Sequence, residues 1–468
     1  MAGLYQDWPV TVLGLGRFGG GAAATRFLVE QGAVVTVTDL RPAAELADVL
    51  TGLQDLPLAR LELGGHPPDV FADCRMLVVN PAVPPGHAGV ESVRARGAEI
   101  TTEIALFLRH QQGRVIGVTG SNGKSTTTGL IQHLLARAGH SAWLGGNIGI
   151  SLLPRLSEIE SSHWVVLELS SFQLELLRPR RFRPEIAVLT NFSPNHLDWH
   201  GSLAAYRLAK QSLFASQLPA DCSIVPIPVT DESGGTDSWR VRGRRHEFGT
   251  EDSGTDGAFF EGDTLILRTR NGRVEDCLPL SVPAHLPGVH NRCNVAAAAC
   301  AAWLAGAAPT DFAAALQSWR PLPHRLQCVA ERSGRQFWND SIATTPESAI
   351  AALQHASGRA VLMAGGYDKG QDLQPLADAI CRHARGVVLM GQTADKLLHH
   401  LQNSATLTPP PALIAPNFPT AFELAVEMSR PGDMVLLSPG CASYGWFRDY
   451  RDRGDQFTRL AQEWSPNA

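Results

Sequence analysis

Lysine is scarce in this chain. Of 40 basic residues among 468, lysine stands only at Lys124, Lys210, Lys369 and Lys396. A chain that otherwise uses arginine keeps lysine mainly where a compact primary amine is needed, because arginine stays protonated and cannot act as a nucleophile or point donor. A surplus of positive charge is also missing. The formal net charge is −5 and the pI near 6.3, which argues against a nucleic-acid partner. Long apolar runs are missing too: the longest uncharged one, Val295 to Ala308, falls short of the roughly 20 residues that a membrane span needs. The opening residues, MAGLYQDWPV, carry no basic stretch followed by an apolar one, so no secretory leader is expected. The 8 cysteines are scattered, and none form a C-x-x-C pair. That fits free thiols in a reducing cytoplasm. The expectation is a cytoplasmic monomer with no nucleic-acid partner and no membrane span.

A hydrophobic content of 44% and a charged content of 18% describe a globular chain. Its length suits three domains of about 100 to 200 residues better than one core. Residues 9–14 (PVTVLG) read as a buried strand entering the turn Gly14-Leu15-Gly16-Arg17-Phe18-Gly19-Gly20-Gly21, with a helix following to about Gln31. A second strand, 33–38, ends at Asp39, and a third, 76–79, ends in Asn80-Pro81. This alternation predicts a Rossmann-like domain with a parallel sheet over 1–110, closed by the polar linker His110-Gln111-Gln112-Gly113-Arg114. A central P-loop ATPase-type α/β domain, 111–319, opens with strand 115–118 and has further strands at 164–167 and 187–189. It contains a small, irregular β-rich insertion over about 226–272 and closes with a helix at 294–304. After the linker Trp319-Arg320-Pro321-Leu322-Pro323, strands near 361–363, 387–390 and 434–437 make a Rossmann-like C-terminal domain, 320–468. The fold class is α/β in three domains.

The strongest chemical signal is Gly117-Val118-Thr119-Gly120-Ser121-Asn122-Gly123-Lys124-Ser125-Thr126, between a strand and a helix starting near Thr127. Backbone N–H groups and the helix N-terminus of such a loop surround phosphate oxygens. Lys124 reaches the outer phosphates, and Ser125 or Thr126 offers a hydroxyl to Mg2+. The spacing is a variant, because Val118 stands five before Gly123 and the first glycine of the loop is Gly120. Gly14, Gly16 and Gly19 fit G-x-G-x-x-G, with Asp39 about 20 residues on and placed for a ribose or base. Alone, that turn suggests a dehydrogenase binding NAD, or simply a tight bend. Beside a separate P-loop it suggests a second nucleotide that carries the substrate. Glu168 follows an apolar strand whose end lies beside the P-loop in a parallel sheet, so it is either a Mg2+ ligand or a cap. Tyr206 and Lys210 lie four apart on a short helix, a spacing that a surface pair shares.

The motifs GSNGKSTTTGL, GGNIG, LELSSFQLE, N-x-x-x-x-H-L-D, AYRLAK, H-N-x-x-N, LPHR, NDSIATTP and SPGCAS-x-x-x-F followed by RG-x-x-F stand in this order between Gly120 and Phe457, within a likeness that covers about residues 10 to 460. They resemble the Mur ligase family of ATP-dependent amide-forming enzymes in peptidoglycan synthesis, in its glutamate-adding branch. The resemblance implies that the first domain takes the UDP moiety, the central domain ATP and the last domain the incoming amino acid. The implied substrates are UDP-N-acetylmuramoyl-L-alanine and D-glutamate, joined through an acyl phosphate with ATP and two Mg2+ ions. Gly14, Gly16, Arg17, Phe18, Asp39, Leu40 and Arg41 would hold the UDP-linked substrate, and Asn147 would touch it near the reacting carboxylate.

ATP would be bound by Gly120, Ser121, Asn122, Gly123, Lys124, Ser125 and Thr126, by Asn291 and Asn294 near the adenine, by Arg325 at the phosphates and by Asp340 at the ribose. His290 is a structural alternative. The metal ligands implied are Ser125, Glu168, His196 and Lys210, the last carbamylated by CO2; Lys124, Glu168, His196 and Lys210 form the catalytic set. Lys369 and Thr344 would hold the α-carboxylate of glutamate, Ser443 the side-chain carboxylate, and Tyr450 stands where the family has a Phe whose backbone contributes. One departure matters: where this branch usually reads D-S-K-A-T, the chain has Asp340-Ser341-Ile342-Ala343-Thr344, so Ile342 replaces a cation and L-glutamate stays open. The rivals are another Mur ligase or a folylpolyglutamate synthase, an NAD-dependent dehydrogenase and a non-catalytic nucleotide sensor. A dehydrogenase does not need the P-loop with Glu168, a sensor does not need Lys210, and folylpolyglutamate synthases lack a full UDP-binding first domain.

Overall fold

The computed structural model describes residues 3–15, 19–84, 86–149, 151–180, 182–227, 239–269, 273–280, 282–283, 286, 288–320, 323–356, 358–368, 370–403 and 408–465. Gly16, Arg17, Phe18 and Lys369, all site candidates, lie outside the described residues, as do parts of the presumed insertion (228–238 and 270–272). The chain forms two compact units, Met1–Trp319 and Arg320–Ala468.

The first unit holds two sheets. The N-terminal one has five strands: β1 (Pro9–Leu13), β2 (Val34–Asp39), β3 (Arg60–Leu63), β4 (Met76–Val79) and β5 (Glu99–Thr101). Their order is β3-β2-β1-β4-β5, and every pairing is parallel. The chain leaves β1 toward β2 and later returns to its other side, so the carboxyl ends of β1 and β4 flank the crevice where such sheets bind ligands. The helix Gly20–Glu30 covers this sheet with Ala24, Phe27 and Leu28. Its approach depends on Gly21, where a Cβ would collide with the carbonyls of Gly14 and Leu15.

The second sheet has nine strands: β6 (Arg114–Thr119), β7 (Ala142–Gly146), β8 (Trp164–Glu168), β9 (Ile186–Leu189), β10 (Cys222–Pro226), β11 (Arg244–Gly249), β12 (Gly257–Glu261), β13 (Thr264–Thr269) and β14 (Arg273–Pro279). The order is β14-β13-β12-β11-β10-β9-β6-β8-β7. The pairings are parallel from β7 to β12 and antiparallel for β12–β13 and β13–β14. The stretch expected to be irregular thus carries regular strands that extend the central sheet. Ala258, Phe259 and Phe260 are buried in succession. A strand covered on both faces shows no alternation, which is why no period was visible.

The helix Lys124–Arg137 starts at Lys124, three residues earlier than the sequence suggested, because Gly123 (φ +77°) closes the loop in the left-handed region. The Ala-rich helix Val289–Leu304 packs beside it, buried from Asn294 to Ala302. Its methyl side chains allow that close approach.

The second unit is a six-stranded sheet: β15 (Gln327–Arg332), β16 (Arg335–Asn339), β17 (Ala360–Gly365), β18 (Ala384–Met390), β19 (Ala412–Ile414) and β20 (Met434–Leu437), in the order β15-β16-β20-β17-β18-β19. Only the β15–β16 pair is antiparallel. Apolar strands such as β17 and β20, buried along their whole length, are what a sheet with helices on both faces requires. Among the described residues, no helix is long and apolar enough to cross a membrane.

Candidate active site

Because β7, β8, β6 and β9 run parallel, the loops leaving their carboxyl ends converge. Asn147 follows β7, Glu168 ends β8, the phosphate-type loop follows β6, and Thr190 and Asn191 follow β9. Two glycines shape the loop. A Cβ on Gly120 (φ +150°) would strike Thr190 Oγ1, and one on Gly123 would strike Asn294 Oδ1. Glycine at both positions therefore lets Thr190 and Asn294 pack directly against the loop backbone. Asn191 brackets the loop: its Oδ1 accepts from Asn122 N at 2.9 Å, and its Nδ2 donates to Asn122 O at 3.0 Å.

Lys124 Nζ donates to Gly120 O (3.1 Å) and Ser121 O (2.9 Å), folded over its own loop. Ser125 Oγ donates to Glu168 Oε2, and Asn147 Nδ2 donates to Glu168 Oε1 at 2.9 Å. The Ser125 hydroxyl and the Glu168 carboxylate so gathered suit Mg2+, which takes hard oxygen ligands. Among the described residues, no three His, Cys, Asp or Glu side chains converge.

Lys210 lies on the helix Leu203–Ala215, beneath the same loop. It is 2% exposed, and its Nζ donates to Gly120 O at 2.6 Å and sits 4.7 Å from the Tyr206 ring centroid. Burial, reinforced by the charge of Lys124 and opposed by Glu168, holds its amine well below the ordinary lysine range. Burial of this kind shifts an amine toward its uncharged form, the state that can take up CO2. Tyr206 Oη shares a hydrogen bond with Ser121 Oγ (3.0 Å), tying this helix to the loop. His196 adopts φ +53° and donates its N–H to Asn195 Oδ1 at 2.8 Å, with its ring 4.9 Å from Phe172 and 6.3 Å from Tyr206. On the other side of the loop, Asn294 Oδ1 accepts from Thr127 Oγ1 (3.3 Å), while Asn294 Nδ2 donates to Asn291 Oδ1 (3.2 Å). Thr190, Asn191 and the Tyr206 hydroxyl were not foreseen as site residues. Asn191 opens the N-x-x-x-x-H motif, and Tyr206 stands in AYRLAK, so a signal was present for both.

In the first sheet, Asp39 accepts from Leu15 N (2.9 Å), Arg41 N (3.0 Å), Arg41 Nε (3.1 Å) and Arg41 Nη2 (2.9 Å). Burial works against its ionisation, but the bonds and charge of Arg41 outweigh it and hold the carboxyl below the usual range. Asp39 thereby fastens the Gly14-Leu15 turn and aims Arg41, while Leu40 is left exposed. Gly14 sits against Asn80, on the crevice between β1 and β4.

The second unit gathers its own candidates. Asp340 accepts from Ser438 Oγ (2.7 Å) and Leu326 N (3.1 Å), and burial pushes it up to about 7. Arg325 Nε is buried with no hydrogen-bond partner among the described residues, which suits a group awaiting an anion. Ser341 Oγ donates to Tyr450 O at 2.7 Å, and Ser443 is buried two residues beyond Cys441. Thr344 N donates to Ile342 O (2.8 Å), and Ile342 N to His324 O (3.1 Å). His324 of LPHR is packed against the helix Tyr450–Glu463 at Gly454, where a Cβ would strike its ring.

Three sequence profiles match the chain: "Mur ligase MurD-like, N-terminal domain" over residues 9–102, "Mur ligase middle domain" over 118–302 and "Mur ligase, glutamate ligase domain" over 324–441. The UDP-N-acetylmuramoylalanine--D-glutamate ligase of Roseiflexus sp. (strain RS-1) is 40% identical over 466 residues, covering 97% of this chain and 98% of that protein. The enzyme of the same name from Acidobacterium capsulatum is 38% identical over 453 residues, covering 96% and 95%. Among solved structures, the UDP-N-acetylmuramate-alanine ligase MurC of Thermotoga maritima shares the fold with a TM-score of 0.59 at 20% identity, covering 97% of this chain and 99% of that one. The MurF ligase of Thermotoga maritima, solved with ADP, has a TM-score of 0.55 at 17% identity, covering 98% and 96%.

Proposed function

The chain belongs to the Mur ligase family, and from that premise we propose that it joins D-glutamate to UDP-N-acetylmuramoyl-L-alanine at the expense of ATP, in peptidoglycan precursor synthesis. The observation that carries this reading is the convergence of Ser125, Glu168, Asn147 and buried Lys210 on one phosphate-type loop. A dehydrogenase has no use for that set. The site we assign to the UDP-linked substrate is the crevice of the 1–110 domain, with Gly14, Gly16, Arg17, Phe18, Asp39, Leu40 and Arg41; ATP belongs to 111–319 and glutamate to 320–468.

In the reaction so read, the γ-phosphoryl group of ATP passes to the L-alanyl carboxylate. The glutamate amine then attacks the acyl carbon, loses a proton and expels phosphate as the amide forms. Lys124 leaves the carbonyls it now holds and meets the outer phosphates, offsetting the repulsion between two anions. Ser125 and Glu168 would hold one Mg2+ ion, and His196 with a carbamate on Lys210 a second; the chemistry these ions would supply is Lewis-acid stabilisation of the same charge. Asn147 orients the carboxylate to be activated, and Asn291 and Asn294 hold the adenine side of ATP. Arg325 reaches the phosphates and Asp340 the ribose, while Thr344, Lys369, Ser443 and the Tyr450 backbone fix the glutamate carboxylates. The protein is assigned to the cytoplasm as a monomer.

The test is amide formation followed by mass spectrometry together with phosphate release, omitting one substrate at a time. The reading expects both signals only with ATP, UDP-N-acetylmuramoyl-L-alanine and D-glutamate present. No amide from the complete mixture would refute it.

A further inference from the structure

Arg453, on the helix Tyr450–Glu463, is 0% exposed, and its hydrogen bonds run to uncharged acceptors. Nε donates to Ser341 Oγ (2.9 Å), Nη2 to Ser341 O (2.8 Å) and Nη1 to Cys441 O (3.2 Å). No carboxylate forms an ion pair with it among the described residues. A guanidinium removed from water without an anionic partner is strongly disfavoured, so its presence calls for an explanation. Burial lowers its pKa to about 9, against the pull of Cys441 and Asp340, and it keeps its charge at neutral pH. Asp340 is held by Ser438 and Leu326 and is itself pushed up to about 7, so it neutralises that charge only in part.

The acceptors are informative. Ser341 stands three residues before Thr344 and its hydroxyl donates to Tyr450 O, and Cys441 stands two residues before Ser443. One side chain thus ties together the segments bearing Thr344, Ser443 and Tyr450. With Ser443, Tyr444 and Gly366 it also lines a small cavity. We propose that Arg453 is a positioning residue for the incoming amino acid, whose fork holds these three segments in register and whose unpaired charge favours a dicarboxylate over an uncharged analogue. This rests on reading the unit as the glutamate site.

The test is steady-state kinetics at saturating ATP and UDP-N-acetylmuramoyl-L-alanine, measuring KM for D-glutamate and the inhibition constant of D-glutamine against it. Arg453→Met is expected to raise KM for D-glutamate at least tenfold and to lower the D-glutamine/D-glutamate ratio at least tenfold, with KM for ATP within twofold of wild type. Arg453→Lys is expected to keep the ratio within threefold while KM still rises. A merely structural role would lower the melting temperature and leave the ratio unchanged, and that result in Arg453→Met overturns the proposal. Should the arginine variants fail to fold, Ser341→Ala decides. It removes an acceptor and the Tyr450 tie but no charge, and an unchanged KM for D-glutamate refutes the positioning role. A wild-type protein that forms no amide with D-glutamate would instead refute the glutamate reading, independently of any variant.

Discussion

Replacing Lys210 by arginine separates two roles that a lysine can play. If Lys210 serves as a buried positive charge, arginine preserves it. If it serves as an amine that takes up CO2, arginine abolishes it, because a guanidinium stays protonated. The second is the role proposed above, and three observations bear on it. The side chain is 2% exposed, its Nζ lies 2.6 Å from Gly120 O, and burial beside Lys124 depresses its basicity. Each unit of depression raises the uncharged fraction about tenfold at neutral pH. The sign for stability follows: between the lowered folded-state value and the ordinary 10.5, the unfolded chain binds the proton more tightly, so stability rises with pH across that window.

If Lys210 carries the proposed carbamate, its loss would take away a group that holds a charge-stabilising metal, worth about 3–4 kcal/mol, or a factor of about 10²–10³ in turnover. Arginine also brings extra atoms between Gly120 O and the Tyr206 ring, at an overpacking cost of about 1–3 kcal/mol. The assay is amide formation by Lys210→Arg and Lys210→Ala, with and without bicarbonate, and with short carboxylic acids added to the alanine variant. Both variants should be nearly inactive, and the acids should partly restore Lys210→Ala. Wild-type turnover by Lys210→Arg would refute the argument.

Lys124→Ala should keep its circular dichroism spectrum and lose ATP turnover by about 10²-fold or more, since one preorganised cation is removed; near-normal phosphate release would show the loop assignment to be wrong. Glu103, in the first turn of the helix Glu103–His110, accepts from Ser151 Oγ and is raised by burial from 4.5 to about 7. The folded state therefore holds that proton more tightly, and stability falls as pH rises from 4.5 through 7, by an amount of order 3 kcal/mol at full ionisation. Thermal melts of Glu103→Gln should gain on wild type at pH 8 and not at pH 5; an equal difference at both would contradict the shift. For the amino acid, kcat/KM should favour D- over L-glutamate, and Ile342→Lys should lower KM for D-glutamate by about 10-fold or more if it adds one charged hydrogen bond of about 1.5–3 kcal/mol. A preference for the L form would overturn the assignment.

The loop Gly120–Thr126, Glu168 at a strand end and the parallel α/β architecture were legible in the chain, because each is a local pattern: a glycine where φ turns positive, an apolar run before a polar residue, a strand followed by a helix. The same holds for Asp39, placed at the end of its strand by spacing alone. Local patterns failed where burial erased periodicity, as in Ala258-Phe259-Phe260 of β12, which became part of the central sheet instead of an irregular insertion. They were also silent on which residues meet. Asn191 brackets the loop because β9 lies beside β6, although Asn122 and Asn191 are 69 residues apart in the chain. Lys210 has its basicity depressed, and Arg453 stands without an ion-pair partner among the described residues, for a related reason: a titratable group responds to the water excluded around it and to the charges across from it. Composition could mark Lys210 as a lysine worth keeping. Its depressed basicity comes from helix and loop closing over it, and strand order, which no single segment encodes, sets that enclosure.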